Sequence, residues 1–194
     1  QYGRGSLATV SFRGTSASHT QVMWNGIKIN SPMLGMTDFS TVPSCFIDRT
    51  TLLHGASSTE VAGGGLGGAV LLTTGSEVPQ GFNFQYIQGV GSFATYDEFL
   101  RLTYGGRRWE FSTRLSYGYS HNNFTYRNYN KKVSGEYPIE TNRCGALSDF
   151  HLLQEARRVT GAGDHLYLGA WYLASRRGIP MLSVDYKSGA GYGN

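Results

Sequence analysis

The chain has 194 residues, enough for one or two domains, and only 15% of them are charged. With 27 Gly, 13 Tyr, 10 Phe and 3 Trp it is poor in helix formers and rich in strand and turn residues, and its aromatic content excludes a disordered chain. The net charge of +4 is carried by scattered residues and by the short pairs Arg107-Arg108, Lys131-Lys132, Arg157-Arg158 and Arg176-Arg177; no basic face interleaves with stacking aromatics, so nucleic-acid binding is set aside and the pairs are expected at strand ends and in loops.

Leu7 to Phe12 reads as a short β run ended by Arg13-Gly14. Thr20 to Trp24 and Ile27 to Asn30 are β-rich runs separated by Asn25-Gly26, a pair that favours a type I′ hairpin turn because both central residues need positive φ. Ser31 to Met36 (SPMLGM) is too rich in Pro and Gly for regular structure and reads as a loop. Ser44 is expected to cap a short helix over Cys45 to Arg49. Thr50 to His54 and Ala69 to Thr74 read as strands, the second of them buried. Between them lies Gly63-Gly64-Gly65-Leu66-Gly67-Gly68. It lacks the GK[ST] of a phosphate-binding loop and leads into a strand rather than a helix. The expectation is a Cβ-free loop that lets backbones approach closely.

From Phe82 onward the period becomes two. Phe82, Phe84 and Tyr86 mark one strand. Tyr96 to Tyr104 sets Tyr96, Leu100, Leu102 and Tyr104 against Asp97, Arg101 and Thr103, with Glu98 the exception on the apolar face. Trp109 to Ser120 alternates strictly: Trp109, Phe111, Thr113, Leu115, Tyr117 and Tyr119 on one face, Glu110, Ser112, Arg114, Ser116, Gly118 and Ser120 on the other. Ala146 to Arg158 and Asp164 to Arg176 give two further strands. Nine residues at about 3.3 Å each span roughly 27 Å along a strand, enough for a membrane wall, and aromatics at the ends of apolar faces match the girdles of a membrane β-wall. The short turns at Gly105-Gly106 and Thr160 to Gly163 contrast with the long polar stretch His121 to Cys144, the pattern of a barrel with long loops on one side. On this reading Leu115 faces lipid and Arg114 the lumen, where its replacement by Ser is expected to be mild. A soluble β-sandwich is the alternative source of such alternation.

Catalysis has little support. The five histidines have no HExxH or metal-ligand spacing, and no GxSxG elbow occurs. Asp149 and His151 share a strand face, here the lumen. Cys45 and Cys144 form no CxxC, and their disulfide state is open. No enzyme activity, metal or cofactor is expected. Lacking an initiating Met and a signal peptide, Gln1 reads as the interior of a longer protein, and Gly193-Asn194 as an abrupt end.

The order Arg13-Gly14, Asn25-Gly26, a Pro-led segment, then Gly67-Gly68 before an apolar strand resembles the plug domain of TonB-dependent outer-membrane receptors. RGTSASH followed by the hairpin and INSPMLGM is most similar to the vitamin B12 receptors of Bacteroidetes. The resemblance implies a mainly β fragment of a plugged transmembrane β-barrel of about 22 strands. Residues 1–77 would be the C-terminal part of the plug and 78–194 about five antiparallel wall strands. It implies active import of cobalamin across the outer membrane of a Gram-negative bacterium, powered by TonB through a TonB box upstream of this chain. A surface lipoprotein capping the barrel is a further expected partner, beside the lipid membrane itself. Siderophore or haem uptake is the alternative ligand class, and a soluble β-rich surface binding module the alternative of another class. Matched along the chain, the ligand contacts would be Leu7, Thr9, Ser16, Leu34 and Gly35, with Asn30, Met33 and Met36 as neighbours. The sequence departs from the family in having His54-Gly55 for a frequent Arg-Gly, and Asn25-Gly26 for a frequent Asp-Gly.

Overall fold

The computed structural model describes residues 5–12, 14–54, 67–75, 79–130, 132–161 and 163–178. A first sheet holds β1 (Thr20–Trp24), β2 (Ile27–Lys28), β3 (Arg49–Leu53) and β4 (Gly68–Thr73), in the order β2-β1-β4-β3. β1 pairs antiparallel with β2 and parallel with β4, while β3 returns antiparallel on β4. The β1–β2 turn is the expected one, with φ of 46° at Asn25 and 84° at Gly26. β4 is central, and Ala69, Val70 and Leu72 are all buried. Gly67 and Gly68 are close-approach positions: a Cβ on Gly68 would lie 2.8 Å from the Leu53 carbonyl oxygen, and one on Gly67 2.5 Å from Thr15 Oγ1. Gly63 to Leu66 and Arg13 lie outside the described residues.

Three local expectations are corrected. Leu7 to Phe12 joins no strand; Ala8 is instead held by the Asp38–Phe39 segment, donating to Asp38 Oδ1 (3.1 Å) and accepting from the Phe39 amide (2.8 Å). The run after the hairpin pairs only over Ile27–Lys28, because Asn30 turns its side chain back into β1. The helix expected over Cys45 to Arg49 is a single 3-10 turn, Ser44–Phe46, with Pro43 rather than Ser44 at the cap position. It ends there because the Asp48 amide bonds the Thr73 carbonyl (3.0 Å) and draws the chain into β3.

The second sheet is an antiparallel meander. It begins with β5 (Gly81–Gly91), β6 (Thr95–Gly105) and β7 (Trp109–Ser120). The stretch 121–144, read as a long loop, carries a small ribbon of β8 (Thr125–Arg127) and β9 (Ile139–Thr141). The meander resumes with β10 (Leu147–Val159) and β11 (His165–Arg177), giving the order β11-β10-β7-β6-β5. Register places Leu100, Leu115 and Leu152 side by side on one face, and Arg101, Arg114 and Leu153 on the other. The first face is uncovered, with Phe82, Phe84, Trp109, Phe111, Tyr117, Leu168 and Tyr172 exposed. The second face is roofed by the first sheet.

The core lies between the sheets. Val22, Trp24, Phe46, Val70 and Leu72 of the first pack with Phe99, Leu153 and Trp171 of the second. The rings of Trp24 and Trp171 stand 4.8 Å apart, and Phe46 lies 6.2 Å from Phe99 and 6.3 Å from Trp171. The inner face of the meander is therefore polar with an apolar patch at the height of the first sheet, which period-two reading alone does not distinguish from a wholly polar lumen.

Gly68 combines φ of +138° with the Leu53 contact. Gly68→Ala is expected to destabilise the first sheet by about 1–3 kcal/mol. Amide exchange should speed up over β3 and β4 and stay unchanged over β7 and β10. Unchanged protection throughout would contradict the close approach.

Candidate functional site

The seam between the sheets is built on arginines of the meander. Arg114, at the centre of β7, is 0% exposed. Its Nη2 lies 2.6 Å from Asp48 Oδ2, its Nη1 donates to the Phe46 carbonyl, and its Nε stands 3.9 Å from Glu155 Oε2. Arg101, directly opposite in register, reaches the other oxygen of Asp48 at 3.1 Å. Asp48 also accepts the Gly75 amide. Partial burial alone would raise the Asp48 carboxyl, but the bonds from Arg114 and Gly75 and the charges of Arg114 and Arg101 outweigh it and hold Asp48 below the usual carboxylate range. Arg114 is thus not a mild lumen position: its removal would strip a buried network of its only fully buried cation among the described residues.

Two further arginines act alike. Arg157 donates to the carbonyls of Gly75 (2.8 Å) and Thr74 (2.6 Å), which directly follow β4. Arg177 donates to the Gly5 carbonyl and to Ser40 Oγ, both at 2.9 Å, and lies 3.8 Å from Asp38. Each belongs to a sequential arginine pair. Both pairs sit at strand ends as expected, and period two sends Arg157 and Arg177 inward to the seam and Arg158 and Arg176 outward.

Asn25 does more than shape the turn. Its amide nitrogen is 2.6 Å from Thr74 Oγ1, 2.9 Å from Tyr167 Oη and 3.2 Å from Glu155 Oε1, and its oxygen accepts the Thr74 amide at 2.9 Å. Glu155 is 1% exposed and also accepts from Tyr167 (2.9 Å). An aspartate at this turn would set a second carboxylate against Glu155, so the Asn-Gly form suits this wall. Asp149 and His151 do face the seam, lining a cavity of about 180 Å³ with Ser40, Pro43, Ser116 and Leu147. A second cavity of about 320 Å³ sets Cys45 beside Ser116 and Phe99. Both cysteines are free.

The expected ligand residues lie away from this seam, on exposed loops. Leu7, Thr9, Ser16, Leu34 and Gly35 are all exposed. Ser16 caps the turn Ala17–His19 by accepting the Ser18 amide, and a Cβ on Gly35 would lie 3.5 Å from the Ser18 Cβ, so Ser16 and the 31–36 loop approach each other at that serine. Leu7 and Thr9 flank Ala8, which is tied to the Asp38 segment just after that loop. Asn30, expected as a neighbour of these contacts, has its side chain engaged within the fold. It is buried, and its side chain accepts the Val22 amide (2.8 Å) and donates to the carbonyls of Thr20 and Gly35 (both 2.9 Å). With Ser31 bonding the amides of Leu34 and Gly35, this brace holds Met33 and Leu34 outward, Met33 being 92% exposed. Asn30 follows β2 by two positions yet bonds β1, so no local pattern marks the brace, and nothing in the sequence points to Asp48 as the partner of Arg114.

The architecture is that of a small mixed sheet seated on the inner face of an antiparallel β-wall. Residues 1–69 match the family model of the TonB-dependent receptor plug domain. Over 72 residues the chain is 36% identical to the vitamin B12 transporter BtuB of Photobacterium profundum, covering 37% of this chain and 12% of that protein. It is 30% identical over 74 residues to BtuB of Vibrio vulnificus, covering 38% and 12% respectively. The matched stretch thus spans 12% of the length of these relatives, which come from Photobacterium and Vibrio rather than Bacteroidetes. Among solved structures, the FrpB iron transporter of Neisseria meningitidis aligns with a TM-score of 0.59 at 13% identity, over 79% of this chain and 24% of that one, a likeness of fold. The fold is mainly β, and residues 1–69 are similar to the plug domain of TonB-dependent receptors.

Because the Asp48 carboxyl is lowered in the folded state, its contribution is complete above the ordinary value of about 3.9 and is lost as pH falls through the lowered folded value. Asp48→Asn is expected to weaken the seam by about 3 kcal/mol at neutral pH, since a buried guanidinium loses its closest carboxylate. Amide exchange at β3 and β4 should rise in the variant at pH 7, and the difference from the parent should shrink in acid. A pH-independent difference would contradict the ion pair.

Proposed function

We propose that this chain is the later part of the plug and the first wall strands of a TonB-dependent transporter that imports cobalamin or a related corrinoid across the outer membrane of a Gram-negative bacterium. The observation that carries the ligand is the similarity to two vitamin B12 transporters, at 36% and 30% identity. The wall assignment rests on the uncovered aromatic and aliphatic face of an antiparallel meander whose other face holds the plug. On this reading residues 1–77 belong to the plug and 78–194 to the wall. TonB would act through a segment upstream of Gln1, and a surface lipoprotein would cap the barrel. The affinity to Bacteroidetes receptors belongs to the same proposal and rests on RGTSASH and INSPMLGM alone.

The ligand would meet Leu7, Thr9, Ser16, Leu34 and Gly35. Their chemistry suits a broad, amide-fringed ligand: hydroxyls from Thr9 and Ser16 for its amides, and apolar or Cβ-free surface from Leu7, Leu34 and Gly35 for its face. Met33, unbranched and exposed beside them, adds an adaptable contact. Iron-siderophore or haem import is the second reading, in keeping with the FrpB fold likeness, but that likeness favours no ligand over another.

Gly35 has φ of +69°, so Gly35→Arg strains the loop as well as filling it, whereas Leu34→Asp leaves the backbone free to keep its form. Each substitution in the full-length protein should weaken cyanocobalamin binding at least tenfold by calorimetry, while the protein stays folded in detergent. Unchanged affinity in both variants rejects the site. Binding of a ferric siderophore or haem in place of cyanocobalamin by the unmodified protein rejects the ligand.

A further inference from the structure

The uncovered face of the meander carries a built feature at its short-turn end. The turn between β6 and β7 holds Arg107 and Arg108, both exposed, and is closed by the Gly106 amide bonding the Trp109 carbonyl at 2.8 Å. β10 ends alongside it, with the Val159 amide donating to the Arg108 carbonyl at 3.0 Å. That bond brings Arg158 to the same rim. Arg158 is the register partner of Trp109 and shares its outward face. Its guanidinium lies over the Trp109 ring at 4.9 Å from the centroid, and the Trp109 ring stacks on Phe111 at 5.7 Å with the planes 5° apart. The ring stack therefore runs from the rim toward the middle of the sheet, and the guanidinium lies over its rim-side ring.

Among the described residues, none of these three arginines has an ion pair or a side-chain hydrogen bond, in contrast to Arg101, Arg114, Arg157 and Arg177, all of which are engaged at the seam. The nearby acids are turned elsewhere or unpaired with them: Glu110 sits on the inward face opposite Arg157 and Gly105, and Asp164 lies on the adjacent β10–β11 turn. Three uncompensated guanidiniums thus border an aromatic and aliphatic surface running up through Phe111, Tyr104 and Leu166.

We propose that this rim is a binding site for an anionic phospholipid of the leaflet at the short-turn end. The phosphate would be bound by Arg107, Arg108 and Arg158, and the acyl chains would lie along the Trp109–Phe111 stack. The cluster of three arginines lies at one end of the wall, whereas β11 carries the single outward Arg176 at the other. Arginine suits phosphate because its planar fork donates two parallel hydrogen bonds, and the indole fixes the Arg158 guanidinium from below. Trp109 has the position and amphipathic shape of an interfacial anchor. The site rests on the membrane-wall reading of the meander, but is independent of what the transporter carries.

The test uses full-length protein purified in detergent, with phosphatidylglycerol as probe and phosphatidylcholine as the neutral comparison, read by native mass spectrometry. The unmodified protein should retain phosphatidylglycerol in preference to phosphatidylcholine. The triple variant R107Q/R108Q/R158Q should bind it about 100-fold more weakly, roughly fivefold for each arginine near an anionic surface. R176Q, which removes an outward arginine at the opposite end of the wall, should retain it. Equal retention by the triple variant, equal loss in R176Q, or displacement of the lipid by millimolar inorganic phosphate would overturn the site while leaving the wall intact. A protein that stays monodisperse without detergent would instead remove the wall reading on which the site depends. Arg158→Lys keeps the charge but loses the fork; partial retention is expected, and full loss of retention in this folded variant would also count against phosphate recognition by charge.

Discussion

Two guanidiniums placed side by side on one face of a β-wall need a counter-charge, and much of this structure follows from where that charge comes from. Arg101 and Arg114 are register partners, and like charges directly opposite repel. Asp48 lies between them, 3.1 Å from one and 2.6 Å from the other. Asp48 immediately precedes β3, and its amide bonds the end of β4. Compensating the two arginines therefore positions β3 and β4. β4 in turn carries β1 by parallel pairing and thereby positions the Asn25-Gly26 turn against Glu155 and Tyr167. The apolar contacts around Phe46, Trp24 and Trp171 supply the area buried, whereas the bonds to the carbonyls of Phe46, Thr74, Gly75 and Gly5 are directional and select one seating.

The same strand period organises both faces of the wall. Adjacent arginines in β10 and β11 are divided by it, one to the seam and one to the outer surface. Outward, the apolar residues form the surface that lipid would cover, edged by Trp109 and Arg158. Inward, polar residues meet plug backbone and carboxylates. The exposed loops around Ser16 and Gly35 stand apart from this, held by Asn30 and Ser31 to the first sheet and not by the wall. On the proposed reading, that separation would anchor the plug at its base and leave its loops open to a ligand.

The wall is the most legible part of the sequence. β7 runs from Trp109 to Ser120 as the alternation indicates, and β10 and β11 differ from expectation by one residue at each end. Strict period two leaves little freedom when one face is apolar. The Asn25-Gly26 turn is equally clear, because its φ values admit few residues. The plug's other elements are less so. Leu7 to Phe12 has strand composition but no ladder partner, and a single 3-10 turn at Ser44–Phe46 is decided by the tertiary pull on Asp48. The site divides in the same way. Arg114 is legible as inward-facing, yet its carboxylate partner lies 66 positions earlier in the chain, and no local pattern marks it. Asn30 reads as an available polar group because sequence does not reveal that its amide is already engaged by backbone on both sides.

The first sheet is seated on the inner face of β7 in this one register, and chain chemistry offers a direct measurement of that seating. Cys45, whose thiol is pushed up by burial, lies beside the Ser116 hydroxyl of β7. The substitution Ser116→Cys, in a full-length protein that also carries Cys144→Ser, creates a thiol pair across the seam. Mild oxidation in detergent solution should join the peptide holding Cys45 to the peptide holding the substituted position in β7. The linked fragment should be detected in high yield by mass spectrometry after proteolysis. Two free thiols after oxidation, with a disulfide formed readily once the protein is unfolded, would contradict the seating on which the account depends.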